Sequence, residues 1–551
     1  MATQNDLIPG SGYNNIFIDS LIAGSGWSGK TISYSLRSGD GSMDETAFVG
    51  DSWNDNENAA FILAFSKFSA VCNLTFTQSA NNTDANIGLW SVDDATITSL
   101  GGGESSLAFF FLPDGTFIDP LPGAFNWQEE SWEYLNSGGN GFATIVHEIG
   151  HALGLAHPHD GGGEEDSTNF PGVLTQDDLG TGNLNQAIYT IMSYNDGWTG
   201  ANGQVLPSPS YDYGNAFSPM AFDIAALQIL YGANTKYNSG NNKYYLPKSN
   251  EIGTGWSCIW DTKGTDTISN EGSSLGCEIN LTAATLNLAD GDAAGGKVSF
   301  NHFIAGGFTI AKNVVIENAI GGSGDDRLIG NGFANNINGG SGNDYLDGGF
   351  GNDRLIGGLG DDIYYVDASK DVITEKTNEG VDTVFSTITY TLANNVENLT
   401  LSGFTEIHAV GNQTNNLVSG NDAANFVNGG LGNDTLTGGL GNDTFVFNTK
   451  LGPTNIDTIT DFTSGDRIAL AGSIFSKLKG VTDLSDNLYV QSIVGIPSRD
   501  DNVTNDYLFY DLESGRLYYD ADGYGSGKDA VQIAIIGTGG ISLTANDFSI
   551  V

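Results

Sequence analysis

The chain has 551 residues, 39% of them hydrophobic, enough for several domains and at least one sizeable core. Its 66 acidic residues outweigh 20 basic ones, and the formal net charge of −46 excludes nucleic acid and anionic membranes as partners. Three cysteines, Cys72, Cys258 and Cys277, are too few for a disulfide scaffold, although a Cys258–Cys277 bridge stays open, and no apolar run reaches membrane-spanning length.

Residues 1–235 read as a mixed α/β domain. The opening stretch has no basic residue before Lys30, so a Sec-type signal is not expected. That stretch, to roughly residue 15–20, is a candidate propeptide. "TISYSLRSG" (31–39) and "ANIGLWSV" (85–92) predict strands, and "LAFFFL" (107–112) predicts one buried strand. "NENAAFILAFSKFSAVC" (56–72) sets Phe61, Phe65, Phe68 and Cys72 at helical spacing. The spacing predicts a second helix over 142–153, stopped by Gly154. A third is expected within 218–232, with Ser218 as its cap, Pro219 in its first turn and Gly232 at its end.

Four of the six histidines, His147, His151, His157 and His159, crowd into "GFATIVHEIGHALGLAHPHDGGG" (141–163). His147 and His151 are four apart on one helix, about 40° apart in angle, so both imidazoles leave the same face one turn apart. That spacing suits a tetrahedral zinc. Glu148, one step round the helix, is placed to accept a proton from a metal-polarised water. Gly154 lets the chain turn so that His157 closes the site, leaving a fourth position open, as in a catalytic zinc centre. His159 lies beyond the third ligand and reads as a surface histidine.

After about residue 320 the texture becomes a nine-residue repeat. "GGSGDDRLI" (321–329), "GGSGNDYLD" (339–347), "GGFGNDRLI" (348–356) and "GGLGDDIYY" (357–365) form one array, with the worn copy "GNGFANNIN" (330–338). A second array runs "GNQTNNLVS" (411–419), "GNDAANFVN" (420–428), "GGLGNDTLT" (429–437) and "GGLGNDTFV" (438–446). Period, glycine–aspartate turn and short apolar strand specify a parallel β-roll that binds several calcium ions. The candidate calcium positions are Gly322, Gly324, Asp326, Gly340, Gly342, Asp344, Gly349, Gly351, Asp353, Gly358, Gly360 and Asp362 in the first array. In the second they are Gly430, Gly432, Asp434, Gly439, Gly441 and Asp443. A flexible glycine-rich linker would not hold aspartate at position six. The large apolar residue at position eight should face the core. Much of the negative charge is then ligand, which repels itself until calcium arrives.

The extended pattern H-E-x-x-H-x-x-G-x-x-H-P resembles that of the metzincins, and "TIMSYNDG" (190–197) is similar to their Met-turn. The resemblance is to the serralysin branch. It implies an α+β metzincin-like catalytic domain followed by an RTX roll and a β-rich C-terminal domain. It also implies one catalytic zinc on His147, His151 and His157, with Met192 as the apolar floor. Tyr194 would coordinate zinc at rest and swing away to stabilise the oxyanion. "WDTKGTDTI" (260–268) and "IENAIGGSGDD" (316–326) look like the calcium-binding lead-in, which puts calcium at Asp261, Lys263 (by its carbonyl), Gly264, Asp266 and Glu317. "NSGNN" (238–242) occupies another such stretch with different side chains.

Two features depart from the family. The aromatic stretch between Gly101 and Asn140, with "FNWQEESWEYL", is expected to reshape the substrate cleft, and "HPHDGGGEED" replaces the usual residues after the third ligand. The domains implied are 1–235 catalytic, 236–320 calcium-binding lead-in, 321–446 the roll with a β insert at 366–410, and 447–551 a C-terminal β domain. The end, "TANDFSIV", resembles an uncleaved type I secretion signal. The expected protein is a secreted, monomeric, calcium-dependent zinc endopeptidase acting on proteins or peptides. Its expected partners include the type I export machinery but neither nucleic acid nor a membrane it inserts into. The alternative, a secreted calcium-binding adhesion or surface-layer protein with a dead protease domain, is opposed by the intact Glu148, histidines and Tyr194.

Overall fold

The computed structural model describes all residues except 1, 6–9, 44, 81–83, 102–105, 116–119, 161–167, 201–206, 492–505, 524–528 and 538–539. Parts of three expectations lie outside the described residues: the candidate propeptide at 1 and 6–9, the aromatic stretch at 102–105 and 116–119, and the glycine-rich tail of "HPHDGGGEED". The described chain forms two compact units, Met1–Asn318 and Ala319–Val551.

The first unit is built on β1 (Thr31–Arg37), α1 (Asp55–Val71), β2 (Thr75–Gln78), β3 (Ile87–Val92), β4 (Ala108–Phe110), β5 (Leu121–Asn126), α2 (Asn140–Ala152) and α3 (Ala221–Tyr231). The sheet runs β2-β1-β3-β5-β4, parallel except for β4, which pairs antiparallel with β5 in the register Phe109↔Ala124. β3 and β5 are buried along their whole length, as expected of parallel strands covered on both faces. β4 differs from the sequence expectation. It spans only Ala108–Phe110 and is half-buried, because it is the sheet's edge and packs on one side only.

α1 buries Phe61, Phe65 and Phe68, each side chain adding roughly 1.5–3 kcal/mol. Asn54 caps it, accepting from Glu57 N at 2.9 Å, while Glu57 Oε2 accepts from Asn54 N at 2.7 Å. Within the aromatic stretch, Phe125 and Trp132 turn into this core, while Leu107 and Ala108 line a cleft. Trp132 is buried against Phe125, and its indole N–H donates to Glu57 Oε1 at 2.9 Å. α3 begins later than expected. Asp223, not Ser218, caps it, accepting from Met220 N at 2.8 Å. The Ser218 hydroxyl instead donates to the Pro219 carbonyl at 3.2 Å. Residues 236–318 stay with this unit. Lys243–Tyr245 pairs with Thr267–Ser269, and Trp256–Ile259 with Gly307–Ile310, both parallel. Cys72, Cys258 and Cys277 are buried and form no disulfide.

The second unit is the roll. Arg327–Ile329, Tyr345–Asp347, Ile363–Val366, Thr383–Ser386, Asn398–Leu401, Leu417–Ser419, Thr435–Thr437 and Asp457–Ile459 form one parallel ladder. Position eight faces inward throughout, and Leu328, Ile337, Leu346, Leu355, Tyr364, Val418, Val427, Leu436 and Phe445 are all fully buried. One turn consumes two nonapeptides, so equivalent residues are 18 apart. Residues 366–410 continue this ladder without the repeat, with steps of 20 and 15. The last strand, Phe548–Ile550, pairs with Arg467–Leu470. Among the described residues no helix is long and apolar enough to cross a membrane.

Candidate metal centres and catalytic cleft

α2 positions the histidines because its other face is core. Phe142, Ile145, Val146 and Ile149 are fully buried. Its last carbonyls are held from outside, Ala152 O by the Trp27 indole at 2.8 Å and Leu153 O by the Tyr231 hydroxyl at 2.7 Å. Gly154 then adopts φ +88°, and a Cβ there would overlap the Ser25 carbonyl.

Each imidazole has its Nδ1 pinned. His147 Nδ1 lies 2.7 Å from Ile191 O, His151 Nδ1 2.8 Å from Leu155 O, and His157 Nδ1 2.6 Å from Asp160 Oδ2. These partners can only accept, so Nδ1 carries the hydrogen and Nε2 keeps its lone pair. The lone pairs converge, with His157 Nε2 3.1 Å from His147 Nε2 and 3.0 Å from His151 Nε2. Two bare acceptors at such distances repel unless a cation lies between them, so the donor set fits a nitrogen-preferring metal. Burial, then the neighbouring imidazoles, lowers His147 to about 3 and His151 well below its usual value, keeping both neutral.

The Tyr194 hydroxyl sits 2.8 Å from His157 Nε2 on a half-exposed ring. Glu148 is buried, its Oε2 has no hydrogen-bond partner, and burial pushes its carboxyl up to about 8. Met192 is buried against α2, its sulfur 2.7 Å from where a Cβ on Gly150 would be. His159 is not a free surface histidine. It stacks on His157 at 5.0 Å and lies 3.4 Å from Asp160, because Pro158 turns the chain back over the third ligand.

Two residues went unread in the sequence. Asp160 orients His157. Asp223, fully buried, accepts from Thr190 Oγ1 at 2.6 Å, Ile191 N at 2.8 Å and Met220 N at 2.8 Å, tying the turn before Met192 to α3. Burial lifts it to about 7. The only signal was an acid inside the apolar run "MAFDIAALQIL". A cleft of about 320 Å³ opens over the cluster, lined by Leu107, Ala108, Ala143, His147, Glu148 and Tyr194.

A family model described as Matrixin matches residues 26–163. Over that stretch the chain is similar to the matrixin family. The model for the RTX calcium-binding nonapeptide repeat matches residues 320–355, 345–373 and 410–445. The chain is 33% identical over 305 residues to "Metalloprotease AprA" of Pseudomonas entomophila, covering 51% of this chain and 55% of that one. It is 32% identical over 302 residues to "Serralysin" of Photorhabdus luminescens, covering 52% and 54%. It is 35% identical over 308 residues to "Serralysin C" of Dickeya chrysanthemi, covering 54% and 56%. The chain thus spans about half the length of the curated relatives it matches. A matrixin-type domain with this triad takes zinc, and the RTX repeats take calcium.

In the lead-in the predicted residues are gathered together. Asp261 and Asp266 are buried, Asp266 N donates to Glu317 Oε2 at 2.7 Å, and Lys263 N donates to Asp261 Oδ1 at 3.2 Å. Burial first, then the nearby Asp261 and Glu317, raises Asp266 to about 6. In the roll Asp326, Asp344, Asp353, Asp362, Asp434 and Asp443 are buried. One oxygen of each carboxylate from Asp344 onward accepts the backbone N–H of the residue 18 earlier, as Asp344 does from Asp326 N at 2.9 Å. Their Oδ2 atoms are buried without hydrogen-bond partners. The glycines of the turns, such as Gly340 at φ +109°, lie against the carbonyls of the preceding turn.

The worn copies carry asparagine at position six and solve the same problem differently. Asn416 Nδ2 donates to Val396 O at 3.1 Å and Glu397 O at 3.2 Å, and Asn425 Nδ2 to Ile407 O at 2.7 Å. An amide N–H there satisfies carbonyls that a carboxylate could not.

Proposed function

We propose that this protein is a secreted, calcium-dependent zinc endopeptidase that hydrolyses peptide bonds in proteins or peptides. The observation that carries this reading is three pinned imidazoles whose Nε2 atoms converge, with His147, Glu148 and Tyr194 lining one cleft beside them. His147, His151 and His157 hold the zinc, which when bound supplies a Lewis acid for the scissile carbonyl and for water. Glu148 takes the proton of the attacking water and returns it to the leaving amine. Its apolar surroundings and unpartnered Oε2 suit a group whose partner is substrate water. Tyr194, half-exposed with its hydroxyl beside His157, would donate to the developing oxyanion. An extended substrate adds to the outer edge of β4, which pairs with no further strand among the described residues, beside Leu107 and Ala108 in the cleft wall. Export through the type I machinery as a monomer completes the reading.

Casein digestion tests it. At fixed millimolar calcium, a zinc-selective chelator should abolish cleavage and added zinc should restore it. Undiminished digestion in the chelator would end the reading.

A further inference from the structure

The cleft over the histidines holds an acid that the hydrolytic chemistry does not use. Asp196 lines it together with Ala187, Ser193 and Tyr194. Its carboxylate has no hydrogen-bond or ion-pair partner among the described residues, and no lysine or arginine among them lines the cleft.

The backbone that carries Asp196 is fixed on both sides. Before it, Asn195 Nδ2 donates to Gln176 O at 3.1 Å and Asn185 O at 3.0 Å, and Asn195 O accepts from Ala187 N at 2.9 Å. After it, Trp198 is buried, packs on Phe300 at 5.4 Å and donates its indole N–H to the Tyr189 hydroxyl at 3.3 Å. Asp196 itself stays exposed, yet the protein crowded around it raises its carboxyl above the ordinary value. A partly desolvated anion without a counter-charge gains more from an arriving cation than one on open surface does. Neither Glu148 nor Tyr194 feels its charge. Asp196 is therefore suited to act on what enters the cleft rather than on the reacting groups.

We propose that Asp196 is a specificity-determining residue that selects substrates with a lysine or arginine side chain close to the scissile bond. This rests on the protease reading. A cleft of about 320 Å³ holds few residues, so the cation falls within roughly three residues of that bond.

The test uses the full chain with zinc and calcium and a set of fluorogenic peptides with blocked ends. They differ at one position, moved from three residues before the scissile bond to three after it, which holds Lys, Arg, Gln or Glu. At one such position kcat/KM should favour Lys and Arg over Gln by roughly three- to tenfold, mainly through KM, with Glu poorest. Asp196→Asn should erase that ratio, Asp196→Glu should keep it, and Asp196→Lys should reverse it in favour of Glu. Glu251→Gln, at an exposed acid in the same unit, should leave the ratio as it is. Should Asp196→Asn not fold, Asp196→Lys decides. An unchanged ratio in whichever of these two folds, or a preference seen only for peptides with a free terminal amine, would overturn the proposal. If the unmodified protein cleaves no peptide, the protease reading fails and binding decides about Asp196. Fluorescence titration should then find the Lys peptide bound more tightly than the Gln peptide, with the difference lost in Asp196→Asn, and equal binding would overturn the assignment.

Discussion

The histidine cluster of the first unit and the aspartate files of the second pose the same physical problem with opposite solutions. Both bury ligand atoms whose lone pairs face one another. The imidazoles are neutral, and each is fixed by an acceptor on a packed element: Ile191 O, Leu155 O and Asp160. Their geometry is established by the core around α2, and a proton-free nitrogen carries no charge to repel its neighbour. The carboxylates have no such refuge. From Asp344 onward each holds one oxygen on a backbone N–H and leaves the other buried without a hydrogen-bond partner. Calcium bound to these oxygens would oppose that repulsion, and its binding energy would then be folding energy. A nitrogen site can thus be preorganised before its metal arrives, whereas a stacked carboxylate site is organised by its metal.

Calcium removal should expose this contrast most strongly. Hydrogen exchange on the full chain in a calcium chelator should show amides of Arg327–Ile329, Tyr345–Asp347 and Ile363–Val366 losing their protection, while α2 keeps most of its own. Replacing Asp344, Asp353 and Asp362 together by Ala should move the roll's transition to higher calcium. Equal protection of both regions with and without calcium would erase the distinction.

Glu148→Gln should preserve zinc content and the fold yet cost roughly 10²–10⁴-fold or more in casein cleavage, the worth of a positioned general base. A variant that digests at near the original rate would remove Glu148 from the chemistry. Tyr194→Phe should keep zinc on its three histidines and lower kcat by roughly 10²-fold with little change in KM, since the hydroxyl acts in the transition state. Zinc loss as its main defect would instead make Tyr194 an essential ligand.

Acidity should substitute in part for calcium. Burial, reinforced by adjacent carboxylates, raises Asp344 and Asp353 to about 7 and Asp362 to about 8, from an ordinary 3.8. With folded values above the unfolded ones, the folded calcium-free roll binds more protons than the unfolded chain. That contribution is fully present below pH 3.8 and is lost as pH rises through about 7–8. Circular dichroism in calcium-free buffer should therefore show strand content growing as pH falls from about 8 to 5. A flat profile would mean that repulsion does not hold the metal-free roll open.

The smallest effect expected is at Asn416. Asn416→Asp deprives Val396 O and Glu397 O of their amide donor and should cost about 1–3 kcal/mol without calcium, read by chemical denaturation. Stability unchanged in chelator would show that the amide is not a substitute for the ion.

Local rules decided a great deal of this protein in advance. The i, i+4 histidines, the glycine stop after them and the nine-residue period are properties of a single segment, and backbone geometry turns such spacing directly into a shared face or a turn. Position eight faces inward because strand alternation leaves it no other choice. What the chain alone left open lay between segments. Nothing near His157 in sequence says that Asp160 rather than His159 would take its Nδ1, or that Asp223 would reach back 32 residues to Ile191 N. The run 107–112 carries the same apolar letters whether it ends in a core or at an edge, and only its place beside β5 made it a half-buried border. Residues 366–410 hide their membership of the roll because they keep the ladder's pairing without its period. A sequence displays the period directly, whereas the pairing is settled only when the turns before and after them stack.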